Sequence, residues 1–282
     1  MKEFKILAIV VFFTLAMYIG VEPIAHNVMH AHPAPTDYEF SDLDDIGDNG
    51  NIAEGKELVT QNCVACHSLS AENIKAPMSD KDSAQAYGVV PPDLGNVGTL
   101  YSKKYLANFV KDPVKASHLS HKFKGDKTYP MPGYAWLGDE KISSIVAYLS
   151  SISKDLDDKE VFVNACSRCH NMKYADITGI DKVAIGGYLG SIPPDLSMYI
   201  RSRGEEYINA FLNHPQVMLP GTAMPRVGLN EKSQEQVIAY LESIGDSHKD
   251  ERNSMGIYFI GYFLILGLIA YLWKRKVWSE FH

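Results

Sequence analysis

Two short motifs hold the residues best suited to chemistry: Cys63-Val64-Ala65-Cys66-His67 and Cys166-Ser167-Arg168-Cys169-His170. Together they use all 4 cysteines of the chain. Two thiols separated by two residues and followed at once by an imidazole are the pattern that attaches a c-type haem. In this reading every thiol is consumed as a thioether, so none remains for disulfide or redox-switch chemistry. Zinc is the main rival for Cys-x-x-Cys, but a structural zinc needs four ligands and usually draws two such pairs onto one ion. Here each pair has its own adjacent histidine and its own downstream Met-Pro.

His67 and His170 are therefore expected as proximal iron ligands. Each would be oriented by donating its other ring N–H to a carbonyl, and the Pro91-Pro92 and Pro193-Pro194 turns are the candidates to supply it. The same prolines also read simply as stiff turns, and the two readings are compatible. For the sixth position the candidates are Met131, in Tyr129-Pro130-Met131-Pro132-Gly133-Tyr134, and Met224, in Ala223-Met224-Pro225. They stand 64 and 54 residues after the motif histidines. A single methionine is more often core filler, but two at matching places, each followed by proline, read as ligands. Thioether ligation closes the iron to substrates and raises its potential, which suits electron transfer and not oxygen or peroxide chemistry. The expected cofactor-binding set is Cys63, Cys66, His67, Met131, Cys166, Cys169, His170 and Met224, for two covalently attached haem c groups, with the histidines and methionines on the metal. No catalytic triad, carboxylate pair or phosphate loop stands out, so no catalytic residue is expected.

Other histidines compete for these roles. His118 and His121 lie in Ser117 to Lys127, a stretch of the first copy that the second lacks; they read as part of a solvated basic loop or partner contact, with iron ligation the alternative. His26, His30 and His32 follow the first apolar run and read as an interfacial segment, with a metal site the alternative.

The elements that must position these residues come twice. Leu58-Val59 and Val161-Phe162 stand at the same distance before their cysteine pairs. Pro91-Pro92-Asp93-Leu94 recurs as Pro193-Pro194-Asp195-Leu196, and Tyr105 to Val110 recurs as Tyr207 to Leu212. Ile145 to Leu149 recurs as Val237 to Leu241. Several unlinked landmarks repeated in one order imply two tandem copies of a domain of roughly 100 residues. Each copy reads as helical. Glu54 to Cys63 and Lys159 to Cys166 feed the motifs, the second after Asp157-Asp158, which suits a helix start. Asp139 to Ser151 and Glu231 to Ser243 place apolar residues three and four apart. The connection between copies, Ser150 to Asp158, is short and polar.

The two ends differ from this body. Ile6 to Val21 is a run of 16 uncharged, mostly apolar residues, and Asn253 to Trp273 is one of 21, near the ~20 needed to cross a bilayer. Lys2 and Lys5 flank the first run, and Lys274-Arg275-Lys276 follows the second, so both termini are expected in the cytoplasm and the body on the periplasmic side of the inner membrane. The first run is read as a retained helix; a cleaved signal peptide is the alternative. Over the whole 282 residues the composition is 46% hydrophobic and 22% charged, with a net charge of −7, and it describes neither part. Without a basic stripe, nucleic-acid binding has no electrostatic support. Asp37 to Asp48 carries six acids and reads as a solvated linker, or as a surface steering a basic electron carrier.

With those motifs in hand, the central ~200 residues resemble tandem class I cytochrome c domains. The expected architecture is all-α: an N-terminal transmembrane helix at 4–22, an acidic periplasmic linker at 23–50, cytochrome c domains at 51–152 and 153–247, a C-terminal transmembrane helix at 254–273, and a cytoplasmic tail at 274–282. The whole resembles the membrane-anchored dihaem cytochrome c subunit of bacterial cytochrome bc complexes, the quinol:cytochrome c reductases. That resemblance implies cytochrome b and a Rieske iron-sulfur protein as partners, membrane lipid around the anchors, and a soluble cytochrome c or terminal oxidase as acceptor. It also implies an electron-transfer subunit without catalytic chemistry of its own. The dihaem subunit of a cbb-type haem-copper oxidase is the alternative, though that family anchors through its amino-terminal side. A dihaem peroxidase or dehydrogenase would need an open or labile haem, which two Met-Pro ligands oppose.

Overall fold

The computed structural model describes residues 2–29, 35–47, 49–179 and 182–279. Among these it is helical, with isolated bridges and no strand. The chain opens with α1 (Lys2–Leu15), which passes through a π-helical stretch (Ala16–Val21) into α2 (Glu22–Met29). A first group follows: α3 (Ile52–Asn62), α4 (Asp80–Tyr87), α5 (Val97–Leu100), α6 (Lys103–Lys111), α7 (Pro113–Ala116) and α8 (Asp139–Ile152). A second group comprises α9 (Asp158–Ala165), α10 (Lys182–Leu189), α11 (Tyr199–Arg203), α12 (Glu205–Asn213), α13 (Pro215–Met218) and α14 (Glu231–Gly245). The last helix, α15 (Lys249–Ser279), has 31 residues.

Side-chain caps fix where the motif helices begin. The Asn51 side chain accepts from Ala53 N at 2.9 Å, satisfying one of the amides that a helix start leaves unpaired. Asp157 does the same for Glu160 N, and Glu160 answers by accepting from Asp157 N, a reciprocal capping box. α3 then crosses α8 so closely that a Cβ on Gly55 would overlap the Ser144 carbonyl and the Tyr148 side chain. Around this crossing Leu58, Val59, Leu106, Ile142, Ile145 and Leu149 close a first core. A second is built the same way where α9 meets α14, from Val161, Phe162, Ile208, Val237, Ile238 and Leu241.

The two cores share residues. Leu100, from α5, is buried in the second core, and Tyr101 packs against both. Tyr101 bridges to Leu229, Ser102 N donates to Gly228 O at 3.0 Å, and Asn230 N donates to Leu100 O at 3.1 Å. Gly228 is at φ +78°, and the ring of Tyr105 fills the space that its Cβ would take, so only glycine lets the chains meet here.

The acidic segment after α2 differs from a solvated linker. Phe40 is fully buried, at a left-handed φ of 49°, and Leu43 is buried beside it against Tyr105 and Ala116. Burial on all sides holds a backbone that a bulky residue ordinarily avoids. Asp42 accepts from Arg226 Nη1 at 2.8 Å, while Lys111 and Lys115 both approach Asp44 at 3.8 Å. Part of the charge that was a candidate for steering is thus used inside the molecule; Asp48 lies outside the described residues.

The span Glu3–Ala25 and helix α15 are long and apolar enough to cross a membrane, and nothing in the chain buries them. Glu3 pairs with Lys274 at 2.6 Å, so the first turn of α1 lies beside the basic end of α15. Both helices outrun the expected spans: α2 carries the first to Met29, and α15 continues to Ser279.

Candidate haem centres

Each motif begins where its helix ends. Cys63 caps α3, and Cys66 N and His67 N both turn back to Cys63 O, at 3.1 and 3.0 Å. Cys166 caps α9, with Cys169 N and His170 N returning to Cys166 O at 3.1 and 2.9 Å. The same hydrogen bonds thus shape both loops. After each loop comes an isolated bridge, Leu69 to Ile74 and Met172 to Ile177, closed by a left-handed residue, Asn73 or Asp176.

The imidazoles are held by the proline turns. His67 Nδ1 lies 2.8 Å from Pro92 O, and His170 Nδ1 lies 2.9 Å from Pro194 O. A carbonyl only accepts, so Nδ1 carries the proton and the lone pair of the neutral ring falls on Nε2, the atom available to a metal. Burial depresses the His67 pKa, the Pro92 bond opposes this, and the charge of Arg168 adds to the depression. The ring is therefore neutral at pH 7, the form that can coordinate iron.

The turns themselves are pinned by acids that the motif reading passed over. Asp93 accepts from Gly95 N at 2.7 Å and from Ser70 Oγ at 2.9 Å. Asp195 accepts from Ser197 N at 2.9 Å and from Lys173 N at 3.1 Å. Their signal was present in the repeated Pro-Pro-Asp-Leu: an Asp directly after a rigid turn closes it onto nearby amides.

Met131 and Met224 are half-buried. Met131 packs on the first core with Cys63, Val64 and Tyr134, and Met224 packs on the second, which contains Cys166. Each methionine thus shares a core with the first cysteine of one pair. Tyr134 ties the Met131 loop down by donating to Asn62 O at 3.0 Å, at the end of α3. The Met224 loop is tied from the other half of the molecule, since Arg226 N donates to Ser117 O at 3.0 Å.

The donor set fits a covalent haem better than a bare ion. The 4 cysteines are unpaired thiols, and burial pushes Cys63 up to about 11 and Cys166 up to about 12. Burial thus favours the thiol form of both, from which a thioether bond is made. Among the described residues, no group of three or more His, Cys, Asp or Glu gathers at a metal-binding distance.

The insertion histidines have other partners. His118 Nε2 is 3.1 Å from Asp42 Oδ2, and His121 Nε2 is 3.1 Å from Thr222 O. Ser117 and Leu119 are buried, so the first part of this stretch is a clamp between the acidic segment and the Met224 loop, while Lys124 to Lys127 stay exposed as a solvated loop would. His30 and His32 lie outside the described residues, as does the side chain of His26.

Residues 52–153 match the family model for cytochrome c. That stretch is a cytochrome c domain, an electron-transfer unit of a family that holds haem c covalently, set in a mostly helical chain with two candidate membrane helices. A chain of a solved structure described as a hyperthermophilic respiratory Complex III is 19% identical over 98% of this chain and 99% of its own, at a TM-score of 0.33. No curated protein matches the chain.

Proposed function

We propose that the chain is a dihaem electron-transfer subunit of a quinol:cytochrome c reductase, anchored at both ends in the cytoplasmic membrane with its body in the periplasm. Electrons would arrive from a Rieske iron-sulfur protein beside cytochrome b and leave to a soluble cytochrome c or a terminal oxidase. The observation that carries the two-haem part is the doubled clamp, His67 Nδ1 on Pro92 O and His170 Nδ1 on Pro194 O, each downstream of its own cysteine pair. The assignment to a reductase rests on the arrangement along the sequence: tandem motifs between an amino-terminal and a carboxy-terminal apolar helix.

The residues divide the work. When bound, haem c supplies a one-electron iron couple. Cys63, Cys66, Cys166 and Cys169 would attach it. His67 and His170, each held by a proline carbonyl, would present Nε2 to the metal, while Met131 and Met224 would supply thioether ligands that raise its potential. The contact of the two cores at Leu100 and Tyr101 supports close placement of the two sites.

Gentle solubilisation followed by affinity capture of the full chain tests the assignment. The expected complex contains cytochrome b and a Rieske protein, with two haem c groups per copy of this chain by pyridine haemochrome. Recovery with a copper-haem oxidase instead would move it to the cbb-type class. Substrate turnover by the isolated chain would make it an enzyme in its own right.

A further inference from the structure

Arg168 occupies one of the two variable positions of the second motif, yet it faces the first half of the molecule. Its Nη1 donates to Val90 O at 3.3 Å, directly before the Pro91-Pro92 turn whose carbonyl holds His67. Tyr101, which hydrogen-bonds it, and Tyr129, both from the first half, are the phenols beside its charge. The Nε of the guanidinium is buried and has no hydrogen-bond partner.

The side chain as a whole is half-buried, but its buried Nε has lost water with no protein acceptor in exchange, and no carboxylate faces the charge. Arg226 differs: it is fully buried with idle nitrogens, but its charge is met by Asp42 at 2.8 Å and by the Phe40 ring, 4.6 Å from its guanidinium carbon. Arg168 forms no ion pair with any described carboxylate; the groups around it are phenols and a thiol. Its position therefore asks for an anion from outside the polypeptide, and planar carboxylates are the anions that a guanidinium fork matches best.

We infer that Arg168 is the anchor for a propionate carboxylate of the haem carried by the first cysteine pair, reached across the interface from the attachment loop of the second. The inference rests on the two-haem reading above. Two facts direct it to the first haem: the contact with Val90 and the neighbouring phenols Tyr101 and Tyr129. One side chain then belongs to the covalent loop of one haem and to the carboxylate edge of the other. Arg168 is a positioning residue that ties the two cofactors together and sets the electrostatic environment of the first.

The test uses the full-length chain matured with haem, as wild type, Arg168→Gln and Arg168→Lys. The haem whose potential responds to Met131→His is the first, and that response assigns the two midpoints. Arg168→Gln removes a positive charge that favours the reduced iron. The first midpoint is expected to fall by about tenfold in the oxidised-to-reduced equilibrium, ~59 mV for one electron, and the propionate-bending band in the resonance Raman spectrum to shift. Arg168→Lys keeps the charge without the fork, so it should restore most of the midpoint but not the band. If the glutamine variant fails to mature, the band in the lysine variant decides. An Arg168→Gln protein that holds two haems with an unchanged first midpoint and band overturns the inference, and so does a change confined to the second haem. A wild-type chain with fewer than two haems overturns the two-haem reading itself, which is a separate result.

Discussion

The phenol of Tyr105, on α6, donates a 2.7 Å hydrogen bond to the main-chain carbonyl of Arg226, two residues past Met224. The bond is buried and joins residues 121 positions apart. It fastens the loop that carries the second candidate methionine ligand to a helix of the first half. The same ring closes over Gly228 and packs against Phe40 at a centroid distance of 5.4 Å. One tyrosine therefore meets the interface, the acidic strap and the Met224 loop.

Tyr105→Phe keeps the ring and leaves the Arg226 carbonyl unsatisfied. A loss of about 1–3 kcal/mol is expected, seen as a fall of several degrees in the melting temperature of the matured protein. An unchanged melting temperature would show that water replaces the bond.

Phe40→Ala separates a packed strap from a tether. A fully buried Phe is expected to cost about 3–5 kcal/mol on truncation, and denaturant unfolding of the matured protein reads it directly. A change below ~0.5 kcal/mol is what a surface residue would give, and it would return this segment to the role of linker.

Asp42 predicts an acid limb. Burial tends to raise its carboxyl, but the hydrogen bond and charge of Arg226, with His118 behind them, outweigh burial and hold the pKa below the ordinary 3.8. A carboxylate depressed in the folded state stabilises it fully above the unfolded pKa, and that contribution is lost as pH falls through the folded pKa. Stability from this pair should hold from neutrality down to about pH 4 and decline below it. Asp42→Asn should lower stability at neutral pH and flatten that decline, as measured by melting temperature against pH. A parallel decline in both proteins would assign the acid limb to other carboxylates.

Met131→His and Met224→His should each lower one midpoint potential and leave both haems attached, because an imidazole favours the oxidised iron relative to a thioether. Redox titration with pyridine haemochrome on the same samples checks both halves of the statement. A titration unchanged in either variant would remove that methionine from the ligand set.

Much of this was legible in one dimension because its causes are local. Cys63, Cys66 and His67 are neighbours in sequence, and the loop that presents them is a single turn closed on Cys63 O. Pro92 and Pro194 could be nominated as the carbonyls facing the histidines because the same turn occurs twice at nearly the same distance. Helices α8 and α14 announced themselves by apolar residues three and four apart, which is the geometry of one buried helix face.

What escaped was long-range pairing of side chains that look unremarkable on their own. Phe40 and Leu43 sit in an acidic run that composition alone assigns to solvent; they are interior because Tyr105 and Ala116, far along the chain, close over them, while Asp42 stays at the surface and pairs with Arg226. His118 and His121 became clamp residues through Asp42 and Thr222. Arg168 fills a position that the attachment motif leaves open, and only the approach of the two halves brings it against Val90.

The sequence by itself determined the repeated attachment motifs, the helical class and the two apolar ends, since each follows from covalent order and local periodicity. The tertiary structure decided that the acidic segment is a strap, that the first part of the insertion is a clamp, and that one arginine of the second motif serves the first half. Those depend on which distant surfaces exclude water together, and a buried charge finds its partner only once that surface has formed.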